Sequence, residues 1–135
     1  MEAVTIIGLV VGFAASIFTA FANYKAGSFK ANTPIDKLLE AGLGWVKGTP
    51  EYAVRLLAWL EILGAIGVVL APIAAIADFS IGKPFAVAAA AGLSLVQIAA
   101  IILHQVRGET KHTLKMNLGL LIPSLIALVA WVLFL

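Results

Sequence analysis

The chain has 135 residues, of which 62% are hydrophobic and 12% are charged, with a formal net charge of +2 and no cysteine. This composition is typical of an integral membrane protein, and so small a net charge does not indicate a nucleic-acid partner. The lack of cysteine excludes disulfide bonds and thiol–disulfide exchange.

Four apolar runs are each long enough, as helices, to cross a hydrocarbon core of about 30 Å. They comprise residues 3–24, 53–77, 84–106 and 116–135. Because these runs fill most of the chain, they leave no room for a soluble domain. We therefore predict an all-α membrane protein, a bundle of four transmembrane helices that forms a single domain over residues 1–135.

The first run carries a polar stripe. Ser16, Thr19 and Asn23 are three and four residues apart, which places them on one helix face together with Gly12. We expect this face to point into the bundle, where hydrogen bonding between helices is the plainer interpretation of Asn23. Residues 20–22 resemble a signal-peptide processing site, but the apolar run is too long and no basic stretch precedes it. We therefore expect a true first span.

The segment between the first and second runs predicts a short amphipathic helix over residues 34–43. Thr33-Pro34 has the form of an N-cap followed by a first-turn proline, and Asp36 stands at the capping-box position. The apolar residues that share one face are Ile35, Leu38, Leu39 and Leu43. We expect this helix to lie at the membrane interface, and an ordinary linker is the alternative.

The second run contains Glu61, the only carboxylate inside any of the four runs. A carboxyl group in a membrane is costly and needs a partner, which favours a functional role. Arg55 could reach inward to Glu61, or its side chain could extend to lipid phosphates. Gly64 and Gly67 predict close packing with a neighbouring helix.

The third and fourth runs carry further polar residues on single faces. Gln97 and His104 are seven residues apart, and so are Asn117 and Ser124. His104 could also sit simply at the interface. The strongest polar groups lie toward one end of the predicted bundle, which argues against a continuous pore and favours a blind pocket. The candidate pocket residues are Asn23, Arg55, Glu61, Gln97, His104 and Asn117.

Basic residues predict the orientation, because cytoplasmic loops retain Lys and Arg during insertion. Eight of them fall in or beside segments 25–52 and 107–115, and only Lys83 falls on the opposite side. We therefore expect both segments to be cytoplasmic and both termini to be outside. The predicted pocket then opens toward the cytoplasm, and the basic segments face anionic lipid rather than nucleic acid.

Several chemistries lack the residues that they require. One histidine within the runs cannot supply both axial ligands of a bis-histidine haem, and no metal-binding cluster is predicted. Motifs of zinc peptidases, serine hydrolases and phosphate-binding loops do not occur.

Two short motifs and one further residue carry a family resemblance. They are Glu61-Ile-Leu-Gly64-Ala-Ile-Gly67 in the second run, His104-Gln-Val-Arg-Gly108-Glu109 after the third, and Asn117 at the start of the fourth. With four spans of similar length and order, the chain resembles the DoxX-like family of small four-helix integral membrane proteins over nearly its whole length. The residues that match the family pattern are Glu61, Gly64, Gly67, His104, Gly108, Glu109 and Asn117.

The resemblance implies several different roles. The family includes a membrane subunit of an archaeal thiosulfate:quinone oxidoreductase, a bacterial protein associated with redox and oxidative-stress complexes, and a vertebrate chaperone for receptor assembly. These roles imply that the protein is an accessory subunit rather than a stand-alone enzyme. They also imply that it could have a partner protein in the membrane or in the cytoplasm.

Three hypotheses follow. In the first, the pocket binds a quinone headgroup or another small amphiphile, and Glu61 and His104 exchange protons within a membrane redox complex. In the second, the protein is a non-catalytic assembly factor, in which Glu61 pairs within the bundle or with a client helix. In the third, it is a small proton-coupled transporter, which the one-sided polarity disfavours unless a homodimer completes the path.

Overall fold

The computed structural model describes residues 1–135 and contains helices and turns but no strands. Four of its helices are long: α1 (Ala3–Asn32), α3 (Glu51–Ile76), α4 (Gly82–Val106) and α5 (Thr110–Phe134). The segment between α1 and α3 contains the short helix α2 (Ile35–Glu40) and one turn of 3₁₀ helix, Gly44–Val46. Each long helix is long enough and apolar enough to span a membrane, which confirms the predicted fold class.

The long helices form an antiparallel ring in which α1 packs on α3, α3 on α4, α4 on α5 and α5 on α1. Large apolar side chains cover the outside of the ring, including Phe21, Leu63, Leu95 and Val129. The buried residues, in contrast, include nine polar or charged ones. Large apolar side chains on the outside and polar ones inside fit a bilayer rather than water, because lipid solvates the outer face and the polar groups must find partners inside.

The end of α1 differs from the prediction. The charge-free run ends at Tyr24, but the helix continues through Lys25 and Lys30 to Asn32. At 1.5 Å per residue, its 30 residues measure about 45 Å, more than the hydrocarbon thickness of about 30 Å. The end of the apolar run marks the point where α1 leaves the hydrocarbon. The helix itself continues until Thr33-Pro34. Thr33 is thus the C-cap of α1 rather than an N-cap, and Pro34 precedes α2.

Residues 33–50, which we call the cap segment, fold on themselves and on the start of α3. Leu38 and Val46 from this segment pack with Val54 of α3, and all three side chains are buried. The apolar face of α2 is therefore used inside the protein, so its amphipathic pattern does not require lipid. The structure contains the predicted helix in a shorter form, and its position at a membrane interface stays a prediction.

The core of the bundle away from the cap segment depends on small residues that let helices approach closely. Trp131 of α5 is fully buried, and its indole Nε1 donates to Ser16 Oγ of α1 at 3.1 Å. A Cβ atom on Gly12 would come within 2.7 Å of that indole, and one on Gly64 would come within 2.7 Å of Leu93. A Cβ atom on Gly67 would lie 3.3 Å from Ala89 Cβ, which is a less close approach. All three glycines predicted to allow close packing, Gly12, Gly64 and Gly67, thus lie at contacts between helices.

Candidate functional site

A buried ion pair joins α1 and α3. The Lys30 ammonium donates to both carboxylate oxygens of Glu61, with Nζ lying 2.9 Å from Oε1 and 3.0 Å from Oε2. The Glu61 side chain is 3% exposed and that of Lys30 is 13% exposed. Since a buried carboxylate without a counter-charge is costly, Lys30 provides the partner that Glu61 requires in this environment.

Lys30 was not among the residues expected to contact Glu61. The sequence predicts a loop at this position, because the first apolar run ends six residues earlier, at Tyr24. One signal could have identified it: Asn23, Gly27 and Lys30 continue the stripe of Ser16 and Thr19 at spacings of three and four residues. The structure buries Asn23 and Gly27 on this face, so the stripe extends to the end of the helix.

Arg55 has a different role from the inward contact considered for it. Its Nη1 donates to the backbone carbonyls of Lys30 and Thr33, both at 2.6 Å, and its Nη2 pairs with Glu51 at 3.2 Å. Residues six apart on a helix point in directions about 120° apart, so Arg55 and Glu61 face different neighbours. Arg55 satisfies carbonyls at the C-terminus of α1, which have no partner within that helix. It thereby fixes the turn that carries Lys30.

A second polar pair joins α4 and α5 at the same level as the ion pair. Asn117 Nδ2 donates to Gln97 Oε1 at 3.0 Å, and both residues are buried. Gly64 of α3 packs against Leu93 of α4, so Glu61 and Gln97, each one turn nearer the cap segment, lie at one depth. We call Lys30, Glu61, Gln97 and Asn117, with Asn23 and Thr19 deeper on α1, the polar centre.

The polar centre contains buried atoms that make no hydrogen bond. Asn23 donates through Nδ2 to the Thr19 carbonyl at 2.9 Å, but its Oδ1 has no partner. Asn117 Oδ1 and Thr19 Oγ1 are also unpartnered. A buried acceptor left without a donor costs about 1–3 kcal/mol, and such atoms in proteins are normally satisfied by water or a ligand. The polar centre therefore contains unpartnered polar atoms on α1 and α5 as well as a charge-neutral ion pair.

Close helix approach positions the ion pair. Gly27 lies where α1 crosses α3, and a Cβ atom there would come within 2.7 Å of the Ala58 carbonyl and 3.1 Å of Glu61 Cβ. Any larger residue would separate the two backbones. The absence of a side chain at Gly27 thus lets Lys30, one turn further along α1, reach the Glu61 carboxylate.

His104 lies nearer the aqueous end of α4, apart from the ion pair. Its Nδ1 is buried without a hydrogen bond and lies 3.7 Å from Glu109 Oε2. Glu109 is also paired with the Arg107 guanidinium. His104 is therefore placed beside a carboxylate at the turn between α4 and α5.

The two cavities described for the bundle lie at the opposite end. One is an apolar groove between α1 and α5, lined by residues such as Val4, Ile7 and Leu125. The other includes Asp78 and Lys83 at the turn between α3 and α4. Neither includes a residue of the polar centre.

Four membrane-length helices around a buried polar centre define a small integral membrane bundle. A family model described as the DoxX-like family matches residues 14–133. The chain therefore belongs to the DoxX-like family, as its motifs indicated. No curated protein and no solved structure matches the chain.

Proposed function

We propose that the polar centre binds the headgroup of a small amphiphile of the quinone type, and that the protein is an accessory subunit of a membrane redox complex. The observation that carries this proposal is the set of unpartnered buried oxygens in the polar centre, Asn23 Oδ1, Asn117 Oδ1 and Thr19 Oγ1. The two asparagine oxygens need hydrogen-bond donors, which the hydroxyl groups of a reduced quinone would supply, and the Thr19 hydroxyl can donate or accept.

The charge of the polar centre supports a neutral ligand. Lys30 and Glu61 compensate each other, so a cation or an anion entering the centre would add an unbalanced charge in a membrane interior. A quinone or quinol headgroup is neutral and polar, and its isoprenoid tail is soluble in lipid. Its carbonyl oxygens could accept from the Lys30 ammonium when it is oxidised, and its hydroxyl groups could donate to the asparagine oxygens when it is reduced.

The role of an assembly factor is the second candidate, and one observation favours it. Glu61 is already paired inside the bundle by Lys30, which is the arrangement expected if the carboxylate serves only to hold helices together. Mass spectrometry of the natively extracted protein separates the two roles. A copurified quinone supports the first, and a copurified membrane protein without a bound small molecule supports the second.

Replacing Asn23 with leucine tests the binding site directly. The leucine side chain has the same branching but lacks the free Oδ1, so we expect affinity for a short-chain ubiquinone analogue to fall about tenfold, the equivalent of one hydrogen bond. Equilibrium binding to the detergent-purified protein measures this. The variant removes the unsatisfied Oδ1 and also the Nδ2 bond to the Thr19 carbonyl, so its thermal stability is measured alongside the affinity.

The matched control is Ser124→Ala on α5. Ser124 is buried too, but its hydroxyl donates only to the Leu120 carbonyl of its own helix, at 2.7 Å. This variant should bind the quinone as the wild type does. An Asn23→Leu protein with wild-type affinity would refute the proposed site.

We also propose that the end of the bundle carrying the polar centre faces the cytoplasm. The structure brings the end of α1, the cap segment, the start of α3 and the turn between α4 and α5 to this end, with eight of the nine Lys and Arg residues. That asymmetry supports a cytoplasmic location for this end of the bundle and an outside location for both termini.

Thiol labelling can establish the orientation, because the chain has no cysteine of its own. In intact cells, Ser80→Cys in the turn between α3 and α4 should react with a membrane-impermeant maleimide. Lys111→Cys, at the start of α5, should react only after permeabilisation. The reverse pattern would show that the topology is inverted.

A further inference from the structure

The turn between α3 and α4 places two oppositely charged side chains beside one cavity. Asp78 and Lys83 both line a cavity of about 450 Å³ at the end of the bundle opposite the polar centre. Neither residue takes part in any of the five ion pairs of the structure. The cavity therefore offers one anion and one cation that are not paired with each other or with another charged side chain.

The Lys83 ammonium is held at the cavity and keeps free donors. Gly82 lets the start of α4 pack directly on the end of α3, because a Cβ atom there would overlap the backbone of Ala75. Lys83 Nζ then donates at 3.2 Å to the Val132 carbonyl, one of the last carbonyls of α5, which have no donor within that helix. An ammonium has three N–H donors, so two remain for an anionic ligand.

Asp78 occupies a position where glycine is the usual residue. It follows the C-cap of α3 with a φ of 65°, and the Phe79 amide donates to the Ala74 carbonyl at 2.9 Å. This is the common arrangement at the end of a helix, in which glycine usually adopts the left-handed conformation. Aspartate is tolerated there at some cost in free energy. A residue other than glycine in this conformation supports a binding role for its side chain.

An apolar groove runs from the same end of the bundle into the membrane. It has a volume of about 530 Å³ and lies between α1, from Val4 to Val11, and α5, from Leu125 to Phe134. Nine residues of α5 correspond to about 13 Å at the helical rise, close to the thickness of one hydrocarbon leaflet, about 15 Å. The groove therefore has the depth that the acyl chain of a lipid in one leaflet requires.

Phe134 connects the groove to the charged cavity, because it lines both. Its ring packs directly on Gly8 of α1, where a Cβ atom would overlap the ring. A pair of opposite charges at the end of the bundle thus adjoins the opening of an apolar groove. A phospholipid has its parts in the same order, with a charged headgroup followed by apolar chains.

We propose that this end of the bundle binds one molecule of phosphatidylethanolamine, with its phosphate on Lys83, its ammonium on Asp78 and one acyl chain in the groove between α1 and α5. Phosphatidylethanolamine carries both charges that the cavity complements. Phosphatidylglycerol has no ammonium, and the quaternary ammonium of phosphatidylcholine has no N–H to donate to a carboxylate. The site shares no residue with the polar centre, so the proposal does not depend on the quinone site.

Competition between lipids tests the choice of headgroup. The purified protein is equilibrated in mixed micelles with equimolar dioleoyl forms of phosphatidylethanolamine, phosphatidylcholine and phosphatidylglycerol, and native mass spectrometry counts the lipid that stays bound. We expect phosphatidylethanolamine to be bound about tenfold more than either other lipid, the effect of one charge-assisted hydrogen bond. Equal binding of the three lipids would overturn the proposal.

Asp78→Asn removes the carboxylate but keeps a residue that tolerates the left-handed conformation. This variant should lose the preference for phosphatidylethanolamine over phosphatidylcholine. Asp36→Asn is the matched control, because Asp36 is also exposed and without an ion pair but lies in α2 at the other end of the bundle. The control should keep the preference. If Asp78→Asn keeps it as well, the ammonium is not bound as proposed.

Lys83→Met tests the phosphate contact. All three lipids contain the phosphate, so this variant should bind each of them less, by a similar factor, and should keep the order of preference. A Lys83→Met protein that binds as much phosphatidylethanolamine as the wild type would contradict the assignment of the phosphate to Lys83.

Val129→Trp tests the groove. Val129 lines the groove and is 55% exposed, so a tryptophan there fills the groove without entering the core. We expect binding of dioleoyl-phosphatidylethanolamine to fall about tenfold, because the acyl chain loses its packing contacts. The control is Val10→Trp, since Val10 is a 62% exposed residue of α1 outside the groove. Equal binding by the two tryptophan variants would refute the position of the chain.

Discussion

Replacing Lys30 with methionine is expected to lower the free energy of unfolding by about 3–5 kcal/mol, the usual cost of removing one partner from a buried ion pair. The substitution keeps the length of the side chain but leaves the Glu61 carboxylate, 3% exposed, without its counter-charge. Unfolding of the purified protein in detergent micelles, followed by circular dichroism, measures the loss.

The double variant Lys30→Met/Glu61→Gln should recover most of that stability. It has no buried charge left, and replacing a whole buried ion pair with neutral groups is often close to neutral in free energy. The wild type, Lys30→Met, Glu61→Gln and the double variant form a double-mutant cycle. Their free energies of unfolding give the coupling free energy between the two residues. A coupling near zero would show that Glu61 does not depend on Lys30.

An exposed ion pair of the same residue types provides the control. Lys37 and Glu40 are 3.2 Å apart in α2, with side chains 60% and 65% exposed. Exposed pairs contribute about 0–1 kcal/mol, so Lys37→Met should change stability little. If Lys30→Met has no larger effect than Lys37→Met, burial of the Lys30–Glu61 pair has no consequence for the fold.

Replacing Trp131 with alanine is expected to cost about 3 kcal/mol. Trp131 is fully buried, packs edge-on against Phe13 with ring centroids 5.0 Å apart, and donates to Ser16. Large-to-small changes of this kind cost about 3–5 kcal/mol in soluble cores. We expect the lower end of that range, because in a bilayer the transfer of apolar surface contributes little and the lost packing contributes most.

Trp59 is the matched control, because it is a tryptophan on α3 with 55% of its surface exposed to the surroundings of the bundle. Trp59→Ala should reduce stability far less than Trp131→Ala. The stability of Trp131→Phe should lie between those of the wild type and Trp131→Ala, since phenylalanine keeps the ring packing but loses the hydrogen bond to Ser16. Equal losses at the two tryptophans would show that Trp131 does not anchor the contact between α1 and α5.

The individual elements show why some predictions succeeded. A span of lipid requires about 20 apolar residues, so the apolar runs identified four transmembrane helices. Polar residues cannot face lipid without cost, so the stripe of Ser16, Thr19 and Asn23 correctly indicated the inner face of α1. Both arguments depend on local composition and helical periodicity, which the sequence contains directly.

The partner of Glu61 could not be obtained in this way. Arg55 was the nearest cation in sequence, but the structure uses it to hold the end of α1, and Lys30 from another helix reaches the carboxylate. Which cation is closest depends on how far α1 continues past its apolar run and on how closely Gly27 lets it approach α3. The approach of α1 to α3 depends on both helices together, so it cannot be obtained from the sequence of either helix alone.

By itself, the sequence determined that this protein is a four-helix membrane bundle of the DoxX-like family with one intramembrane carboxylate. Only the tertiary structure decided that Lys30 neutralises Glu61, that Gln97 and Asn117 pair beside it, and that the cap segment folds over that end of the bundle. The physical reason is that insertion into lipid is governed by the composition of each helix separately. The polar contacts depend instead on the depth and rotation at which helices meet, which packing sets.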